Sequence, residues 1–420
     1  MGLIRSGCTY VNRTGRRAGP SHAAGCEGSV ADLCRSQGNR MQSGFHLIYV
    51  VDWLPPEFGA VGQYALLFAR EQAALGARIC LIGLARSKSH SVTENFASGG
   101  CLEIRRLAIR PVDRTNWLGR LVWAMGANWR LLREALRAPR MPASELLFTG
   151  SPPFMLWFAV VAKWLTGVRL VYRITDFYPE VIAAARARPS LLLAVLTRLT
   201  WWLRRRVDGF EVLGEDQRTL LLRGGIAADR IVLRRCPSPV VVTGEETPAP
   251  KPLALLDHRV LLYSGNYGVA HEVETVLEGY RLHHRRGSGR FVLWLNATGA
   301  NADWLEQQLN AEGLPYARTA PCTLEELPHV LACADVHLIC LRPAFAGYVL
   351  PSKVYACIDS RRPVLFVGPE SSDVHLLCAQ QASGYVRIDI GDGGGFARTL
   401  DHWGEVDTGA AGQAGFNVKG

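Results

Sequence analysis

A glycine-rich segment in the second half of the chain has the residue types of an anion site. Residues 264–268 read Ser-Gly-Asn-Tyr-Gly, directly after an apolar run that predicts a β-strand and before a helical pattern. At such a junction, backbone amides and a helix N-terminus can meet a phosphate group. Gly265, Asn266 and Gly268 are therefore candidate ligands, although glycine is also common at strand-to-helix turns for steric reasons alone.

A second segment places a cation in the same kind of position. Residues 350–353 read Leu-Pro-Ser-Lys, and proline is favoured in the first turn of a helix. The hydroxyl of Ser352, the ammonium of Lys353 and the amides of that turn predict a diphosphate site. Because the segment follows a predicted strand at 336–341, we expect it to lie opposite the glycine turn.

A third segment carries a carboxylate that could act in proton transfer. Residues 175–180 read Thr-Asp-Phe-Tyr-Pro-Glu and follow a predicted buried strand at 170–174. At the carboxyl end of a strand, Asp176 could orient a hydroxyl or accept a proton. It could equally cap the helix that follows, and the residues alone leave both readings open.

The spacing of apolar residues around these segments alternates between strand and helix. Strands are predicted at 45–51, 79–84, 146–148, 170–174, 209–212 and 231–233, with helical patterns between most of them. A second series of the same kind starts with a strand at 260–263. The alternation predicts an α/β protein with two doubly wound, Rossmann-like domains whose sheets face a common cleft.

Composition changes along the chain predict the domain boundaries. Residues 1–44 show no periodic pattern and are expected to be a disordered leader or to precede the true start codon. The first α/β domain is expected at 45–236, a proline-rich linker at 237–256 and the second α/β domain at 257–391. The glycine-rich end, 392–420, is expected to be a flexible tail.

The overall composition is typical of a soluble protein with two domains. The chain has 420 residues, of which 48% are hydrophobic and 20% charged, which excludes disordered, collagen-like and small disulfide-rich classes. Its 11 cysteines contain no C-x-x-C pair, so reduced thiols in a cytoplasmic protein are expected, with no metal site. No stretch is long and apolar enough to predict a transmembrane helix.

The net charge of +10 is concentrated in two arginine-rich segments of the first half. Residues 101–142 contain nine arginines against three acids, and residues 186–206 contain six arginines and no acid. Both segments also carry tryptophans beside apolar helical patterns, which favours the headgroup region of an anionic membrane. Buried helices with a solvated charged edge are the alternative. No nucleic-acid-binding motif is present, so nucleic acid is not an expected partner.

Taken together, several segments resemble the family 4 glycosyltransferases, which are retaining enzymes of the GT-B fold. The resemblance extends from residue 45 to about residue 390. The segments that carry it are Asp-Trp-Leu-Pro-Pro-Glu at 52–57 with Gly59 and Gly62, the segment 175–180, the turn 264–268, and Leu-Pro-Ser-Lys at 350–353 with Arg-Pro-Val at 362–364. The segment 175–180 is also similar to the D-L-W-P-E motif of bacterial members that build surface polysaccharides.

The resemblance implies transfer of a sugar from a nucleotide-diphosphate sugar to a lipid-linked or glycan acceptor, in cell-envelope or exopolysaccharide synthesis. The second domain would hold the donor and the first the acceptor, at the inner face of an anionic membrane, without metal or cofactor. Asp176 would act near the acceptor, while the donor diphosphate would meet Gly265, Asn266, Gly268, Ser352 and Lys353. Further candidate site residues are Gly59, Gly62, His271, Glu180 and Arg342.

The sequence departs from the family pattern at the donor site. Ala346 and Ala356 stand where relatives commonly have glutamates, and Asn266 and His271 stand where many have Arg and Lys. Lys353, with Arg342, would then supply the positive charge. Two alternatives therefore stay open: a nucleotide-sugar 2-epimerase, and a non-catalytic protein of a polysaccharide-assembly complex that retains the GT-B fold.

Overall fold

The computed structural model describes residues 44–57, 60–86, 88–110, 117–186, 188, 190–235, 238 and 240–405. The predicted leader, 1–44, falls almost wholly outside these ranges. The elements of the first half, in chain order, are β1 Phe45–Trp53, α1 Ala60–Ala74, β2 Arg78–Ala85, β3 His90–Asn95, β4 Cys101–Ala108, α2 Trp117–Arg137, β5 Arg140–Thr149, α3 Met155–Thr166, β6 Arg169–Ile174, α4 Glu180–Ala184, α5 Leu191–Arg204, β7 Gly209–Val212, α6 Glu215–Arg223 and β8 Ile231–Leu233.

The first half is built on one eight-stranded sheet with helices on both faces. The strand order is β3-β4-β2-β1-β5-β6-β7-β8, and every neighbouring pair is parallel except β3 with β4. The central strands are continuous apolar runs because both of their faces are covered. Two buried clusters, one on each face, form the core of this half.

The second half repeats the architecture with six strands. Its elements are β9 Arg259–Asn266, α7 Glu274–Arg286, β10 Phe291–Thr298, α8 Ala300–Ala311, β11 Tyr316–Thr319, α9 Leu327–Leu331, β12 Val336–Cys340, α10 Lys353–Asp359, β13 Val364–Val367, α11 Asp373–Gln381, β14 Tyr385–Ile388 and α12 Gly393–Glu405. The sheet order β11-β10-β9-β12-β13-β14 is parallel throughout. The predicted doubly wound α/β fold is confirmed.

The sequence pattern missed the pair β3 and β4. β3 reads His-Ser-Val-Thr-Glu-Asn and is almost fully exposed, so it has no apolar alternation to mark it. It closes the sheet edge by pairing antiparallel with β4. β4 lies within the first arginine-rich segment, so part of that charge is carried by a strand rather than by a helix.

The prediction of a flexible tail from residue 392 was wrong over Gly393–Glu405, which form α12. Phe396 and Leu400 of this helix are fully buried against α7. The packing is close, because a Cβ added to Gly279 would lie 2.5 Å from the Phe396 ring. The three glycines at the start of α12 concealed its apolar side from the sequence pattern.

The proline-rich segment 240–256 lies along the second half of the chain. The amide of Ala249 donates to the carbonyl of His329 at 3.0 Å, and Leu255 is fully buried. Ala249 and Val242 also pack against the same apolar cluster as β10 and α9. These contacts make the segment a bound strap on the second half rather than a free spacer.

The carboxyl edges of the two sheets meet across a cleft. Asp176, just after β6, forms an isolated antiparallel bridge with Val349, which lies between β12 and α10. The amide of Phe177 donates to the carbonyl of Tyr348 at 3.0 Å. The segments predicted to carry the chemistry therefore face each other where the halves touch.

A second contact between the halves joins the N-termini of α6 and α11. The amide of Asp373 donates to Asp216 Oδ2, and the amide of Glu215 donates to Asp373 Oδ1, both at 3.0 Å. Arg235 forms an ion pair with Asp373, whose side chain is fully buried. Each helix is thus capped by a carboxylate from the other half.

Candidate functional site

Asp176 stands at the carboxyl edge of the first sheet, facing the cleft. It does not cap the next helix, because α4 begins at Glu180 after Pro179 and has no side-chain hydrogen bond at its N-cap. The side chain lies deep between the halves with part of its surface accessible. Burial, assisted by the nearby charge of Asp52, raises the pKa of Asp176 to about 6.

Asp52 forms a second carboxylate beside Asp176, and the sequence analysis did not single it out as a site residue. It lies in β1, and its Oδ2 accepts a hydrogen bond of 2.8 Å from Ser151 Oγ, just after β5. Its Oδ1 is buried and has no hydrogen-bond partner among the described residues. Burial raises the pKa of Asp52 as well. The two carboxylates and Ser151 thus come from the ends of three adjacent strands, β1, β5 and β6.

Glu180, one of the predicted site residues, is held in a buried ion pair. Its carboxylate pairs with the guanidinium of Arg204, and both side chains are buried. Arg204 also donates to the carbonyl of Tyr178 at 2.9 Å, and its guanidinium lies over the rings of Phe177 and Trp201 at 4.9 and 4.6 Å. Arg204 is therefore one arginine of the segment 186–206 that is not available to a membrane surface, because the loop that carries Asp176 packs upon it.

Lys353 is the central cation of the predicted donor site. Its Nζ is buried and has no hydrogen-bond partner among the described residues, and it lies 3.3 Å from the centroid of the Tyr263 ring. A Cβ built on Gly265 would lie 3.8 Å from the same nitrogen. Burial lowers the pKa of Lys353 to about 7. Its Nζ therefore lies near Gly265 at the end of β9, and no anion among the described residues pairs with it.

His271 and Arg342 lie on either side of the same region. Burial, together with the charge of Lys353, lowers the pKa of His271 to about 3, so this imidazole is neutral. Arg342 follows β12, and its amide donates to the carbonyl of Ala270 at 2.9 Å. Its guanidinium is half-exposed and stands 3.8 Å from Glu272. The structure therefore brings Gly265, His271, Arg342 and Lys353 together at one edge of the second sheet.

Comparison with known proteins was made both by sequence and by structure. No protein-family model matches the chain. The chain is 23% identical over 284 residues to a probable glycosyltransferase, WbjE of Pseudomonas aeruginosa. That match covers 65% of this chain and 69% of WbjE.

Solved structures match nearly the whole chain. The structure of HepE of Anabaena in complex with UDP and glucose matches with a TM-score of 0.59 at 12% identity, over 87% of this chain and 92% of that chain. A sucrose-phosphate synthase of Thermosynechococcus elongatus gives 0.61 at 12% identity, over 87% and 93%. The chain has a GT-B fold. A trehalose 6-phosphate synthase of Burkholderia multivorans gives 0.56 at 12% identity, over 88% and 91%.

The remaining predicted residues take different positions in this GT-B fold. Gly265 and Asn266 end strand β9, so the turn begins later than predicted, and Asn266 is exposed. Ser352 precedes α10, which has only seven residues. Gly268 follows in the loop, and its carbonyl accepts a hydrogen bond of 3.1 Å from Asn301 Nδ2.

The helix after the glycine turn does not offer a free N-terminus. Glu272 Oε1 accepts hydrogen bonds from the amides of Glu274 and Thr275, both at 3.0 Å. This carboxylate already occupies the start of α7, so the prediction that the N-terminus of that helix meets an anion was wrong. Lys353 and Arg342 are the cationic side chains that the structure brings to this region.

Gly59 and Gly62 follow β1 in the chain, and both were predicted as site residues. A Cβ on Gly62 would lie 1.8 Å from the carbonyl oxygen of Trp53, so glycine is needed there for α1 to pack against the end of β1. Gly59 lies outside the described residues.

A cavity of about 630 Å³ opens beside the glycine turn of the GT-B second domain. Its walls include Trp294, Asn296, Thr319 and Cys322, together with residues of the strap. Asn296 Oδ1 accepts a hydrogen bond of 3.0 Å from Ser264 Oγ, which connects this cavity to the end of β9. An aromatic ring, an amide and a thiol therefore line a space that Asn296 connects to Ser264.

Across the described residues, no three side chains of His, Cys, Asp or Glu are grouped so as to hold a metal ion. None of the helices that the structure describes has the length and apolar character needed to cross a bilayer.

Proposed function

We propose that the chain is a glycosyltransferase that moves a sugar from a nucleotide-diphosphate sugar, held by the second half, to a glycan acceptor held by the first half. The observation that carries the proposal is the buried Nζ of Lys353 beside Gly265, which has no hydrogen-bond partner within the described ranges and lies at the sheet edge that faces Asp176. A buried cation without a partner is costly, and a diphosphate would supply the missing anion.

The donor would extend from the cavity beside Ser264 to the cleft. Its nucleoside would occupy the space lined by Trp294 and Asn296, and its diphosphate would meet Gly265 and Lys353 with Arg342 nearby. The similarity to WbjE supports a glycosyltransferase, and the UDP complex of HepE supports a nucleotide donor in a fold of this type. As the leaving group develops charge, these positive groups would stabilise it without a metal, in a reaction that retains the anomeric configuration.

On the acceptor side, Asp176 would orient or deprotonate the attacking hydroxyl. The pKa of about 6 leaves its carboxylate largely ionised at neutral pH and able to accept a proton. The contact of Asp176 with Val349 brings this carboxylate to the donor half. The reacting sugar would lie between these two groups.

We further propose that the acceptor is lipid-linked and that the enzyme lies on the inner face of an anionic membrane. Helices α2, α3 and α5 pack side by side, and Trp164 of α3 contacts Trp202 of α5 at 5.9 Å between ring centroids. Their outer face exposes the apolar side chains Val122, Met125, Trp129, Val161, Trp164, Leu165, Leu191, Leu192, Val195, Leu199 and Trp202.

Helices α2 and α5 and the loops on either side of α5 also carry exposed arginines: Arg130, Arg133, Arg137, Arg186, Arg188, Arg198, Arg205 and Arg206. Apolar side chains that insert at the headgroup level, together with cations, suit anionic lipids, with each basic residue contributing about 1 kcal/mol near the surface. A cytoplasmic, membrane-peripheral enzyme follows from this proposal.

The direct test is titration of the purified chain with UDP-, GDP- and ADP-glucose, followed by a transfer assay with lipid-diphosphate acceptors. Lys353→Met should weaken donor binding strongly but measurably, and Asp176→Asn should retain binding but lose transfer. Binding by none of the donors would refute the proposal and favour a non-catalytic GT-B protein, a reading favoured by Ala346 and Ala356. Conversion of a nucleotide sugar without acceptor would instead indicate a 2-epimerase.

A further inference from the structure

The environment of Lys353 contains an aromatic partner where an acid would be expected. Its Nζ lies 3.3 Å from the centroid of Tyr263, a ring in the middle of β9 that is fully buried. Tyr267 stacks on Tyr263 with the centroids 3.9 Å apart. Because a stacked ring and an ammonium cannot share one face, Lys353 takes the face that Tyr267 leaves open.

Among the described residues, no carboxylate holds the ammonium of Lys353 in place. Lys353 has no ion pair or hydrogen bond within the described part of the chain. The titratable groups that face it are His271 after β9, Cys340 of β12, Cys357 of α10 and Tyr263 itself. His271 is neutral, and burial raises the pKa of both thiols to about 12, so none of them carries a negative charge at neutral pH.

We propose that Tyr263 is a positioning residue: its ring face holds the ammonium of Lys353 against the end of β9, ready for the donor diphosphate. The π face of tyrosine attracts a cation, and the attraction grows as the pair is desolvated. The proposal rests on the proposed function, because it assumes that Lys353 binds the diphosphate. Tyr263 itself would not touch the donor.

The hydroxyl of Tyr263 has a separate partner, which allows the ring to be tested alone. This hydroxyl donates to the carbonyl of Asn266 at 3.0 Å. Tyr263→Phe removes that bond and keeps the π face, whereas Tyr263→Leu removes the face. Replacement of Tyr263 by 3,4,5-trifluorophenylalanine keeps the ring shape and withdraws the electrons that attract the cation.

The experiment measures dissociation constants for UDP, GDP and ADP by calorimetry at pH 6.5. We expect Tyr263→Phe to bind within about twofold of the unmodified protein, and Tyr263→Leu and the fluorinated variant to bind roughly tenfold more weakly. Tyr280→Leu is the matched control, because Tyr280 is equally buried in the same half and its ring contacts His284 instead. It should leave binding unchanged.

A double-mutant cycle distinguishes positioning from a general loss of structure. In a Lys353→Met background, Tyr263→Leu should cause no further loss of affinity. Equal losses in both backgrounds, or full affinity in the fluorinated variant, would overturn the role of Tyr263. If Lys353→Met weakens binding and the ring variants do not, only this inference fails. If the unmodified chain binds none of the nucleotides, the proposed function fails with it.

Discussion

Binding of a nucleotide sugar should take up a proton, because Lys353 must be charged to meet the diphosphate. Burial lowers the pKa of this lysine to about 7 in the free protein, and an adjacent diphosphate would raise it again. The diphosphate of a nucleotide sugar does not titrate near neutral pH, and His271, with a pKa of about 3, stays neutral. Asp176, with a pKa of about 6, faces the same cleft but is already ionised at pH 8. Proton uptake measured at pH 8 can therefore be assigned to Lys353.

The size of the uptake follows from the fraction of Lys353 that is neutral before binding. With a pKa of about 7, uptake is about 0.1 proton at pH 6, about 0.5 at pH 7 and about 0.9 at pH 8. Affinity should be nearly constant below pH 6 and should fall by roughly tenfold per pH unit above about pH 7.5. Affinity falls as pH rises because the pKa of Lys353 is lower in the free protein than in the complex, and only the charged lysine binds the diphosphate. Binding is therefore tighter at low pH.

Calorimetry in buffers of different ionisation enthalpy measures this uptake directly. Lys353→Arg is the matched control, because a guanidinium stays charged in this range, so its binding should proceed without proton exchange. Uptake of no proton at pH 8, or an affinity unchanged between pH 6.5 and 8.5, would show that Lys353 is already charged in the free protein. The reasoning from its burial would then be refuted.

Three further predictions concern the acceptor half. The acidic limb of the pH–rate profile is expected near pH 6, because burial and, to a smaller extent, the charge of Asp52 raise the pKa of Asp176. Asp52→Asn removes that charge and should move the limb to lower pH; an unmoved limb would show that the two carboxylates are not coupled. Glu180→Ala should lower the free energy of unfolding by about 3–5 kcal/mol, since it leaves Arg204 buried without its partner, and denaturant unfolding should show a smaller loss when Arg204→Met is added. Leu192→Glu on the exposed face of α5 should reduce the amount of protein that sediments with phosphatidylglycerol vesicles but not with neutral ones, and nucleotide binding should stay intact. If the variant and the unmodified protein sediment equally with anionic vesicles, docking through this face is contradicted.

The fold could be predicted from the sequence because buried parallel strands leave continuous apolar runs. The strand predicted at 79–84 is found at Arg78–Ala85 for this reason, with all but its first residue buried. The exposed edge strand β3 and the helix α12, which starts with three glycines, could not be found. Their stability comes from a neighbouring strand or helix that the local sequence does not reveal.

The candidate site was predictable only in part. Glycines, a lysine and an aspartate after apolar strands could be recognised one by one, and their convergence followed from the fold class. The proximity of Asp52 to Asp176 depends on the strand order β1-β5-β6, which the sequence does not contain. The burial of Arg204 was missed because an arginine that ends a helix looks the same whether it faces solvent or a carboxylate such as Glu180.

The exchange of carboxylates between α6 and α11 means that neither half has a complete set of hydrogen-bond partners by itself. The first amide of each helix is satisfied by an aspartate of the other half, Asp216 or Asp373. Separating the halves by a cut in the strap would therefore leave the first amide of each helix without its acceptor and Asp373 without its ion pair to Arg235, although α11 would keep its N-cap at Ser372. The two aspartates thus tie the halves together at this point of the cleft, and neither half would fold with all of its hydrogen bonds if it were expressed alone.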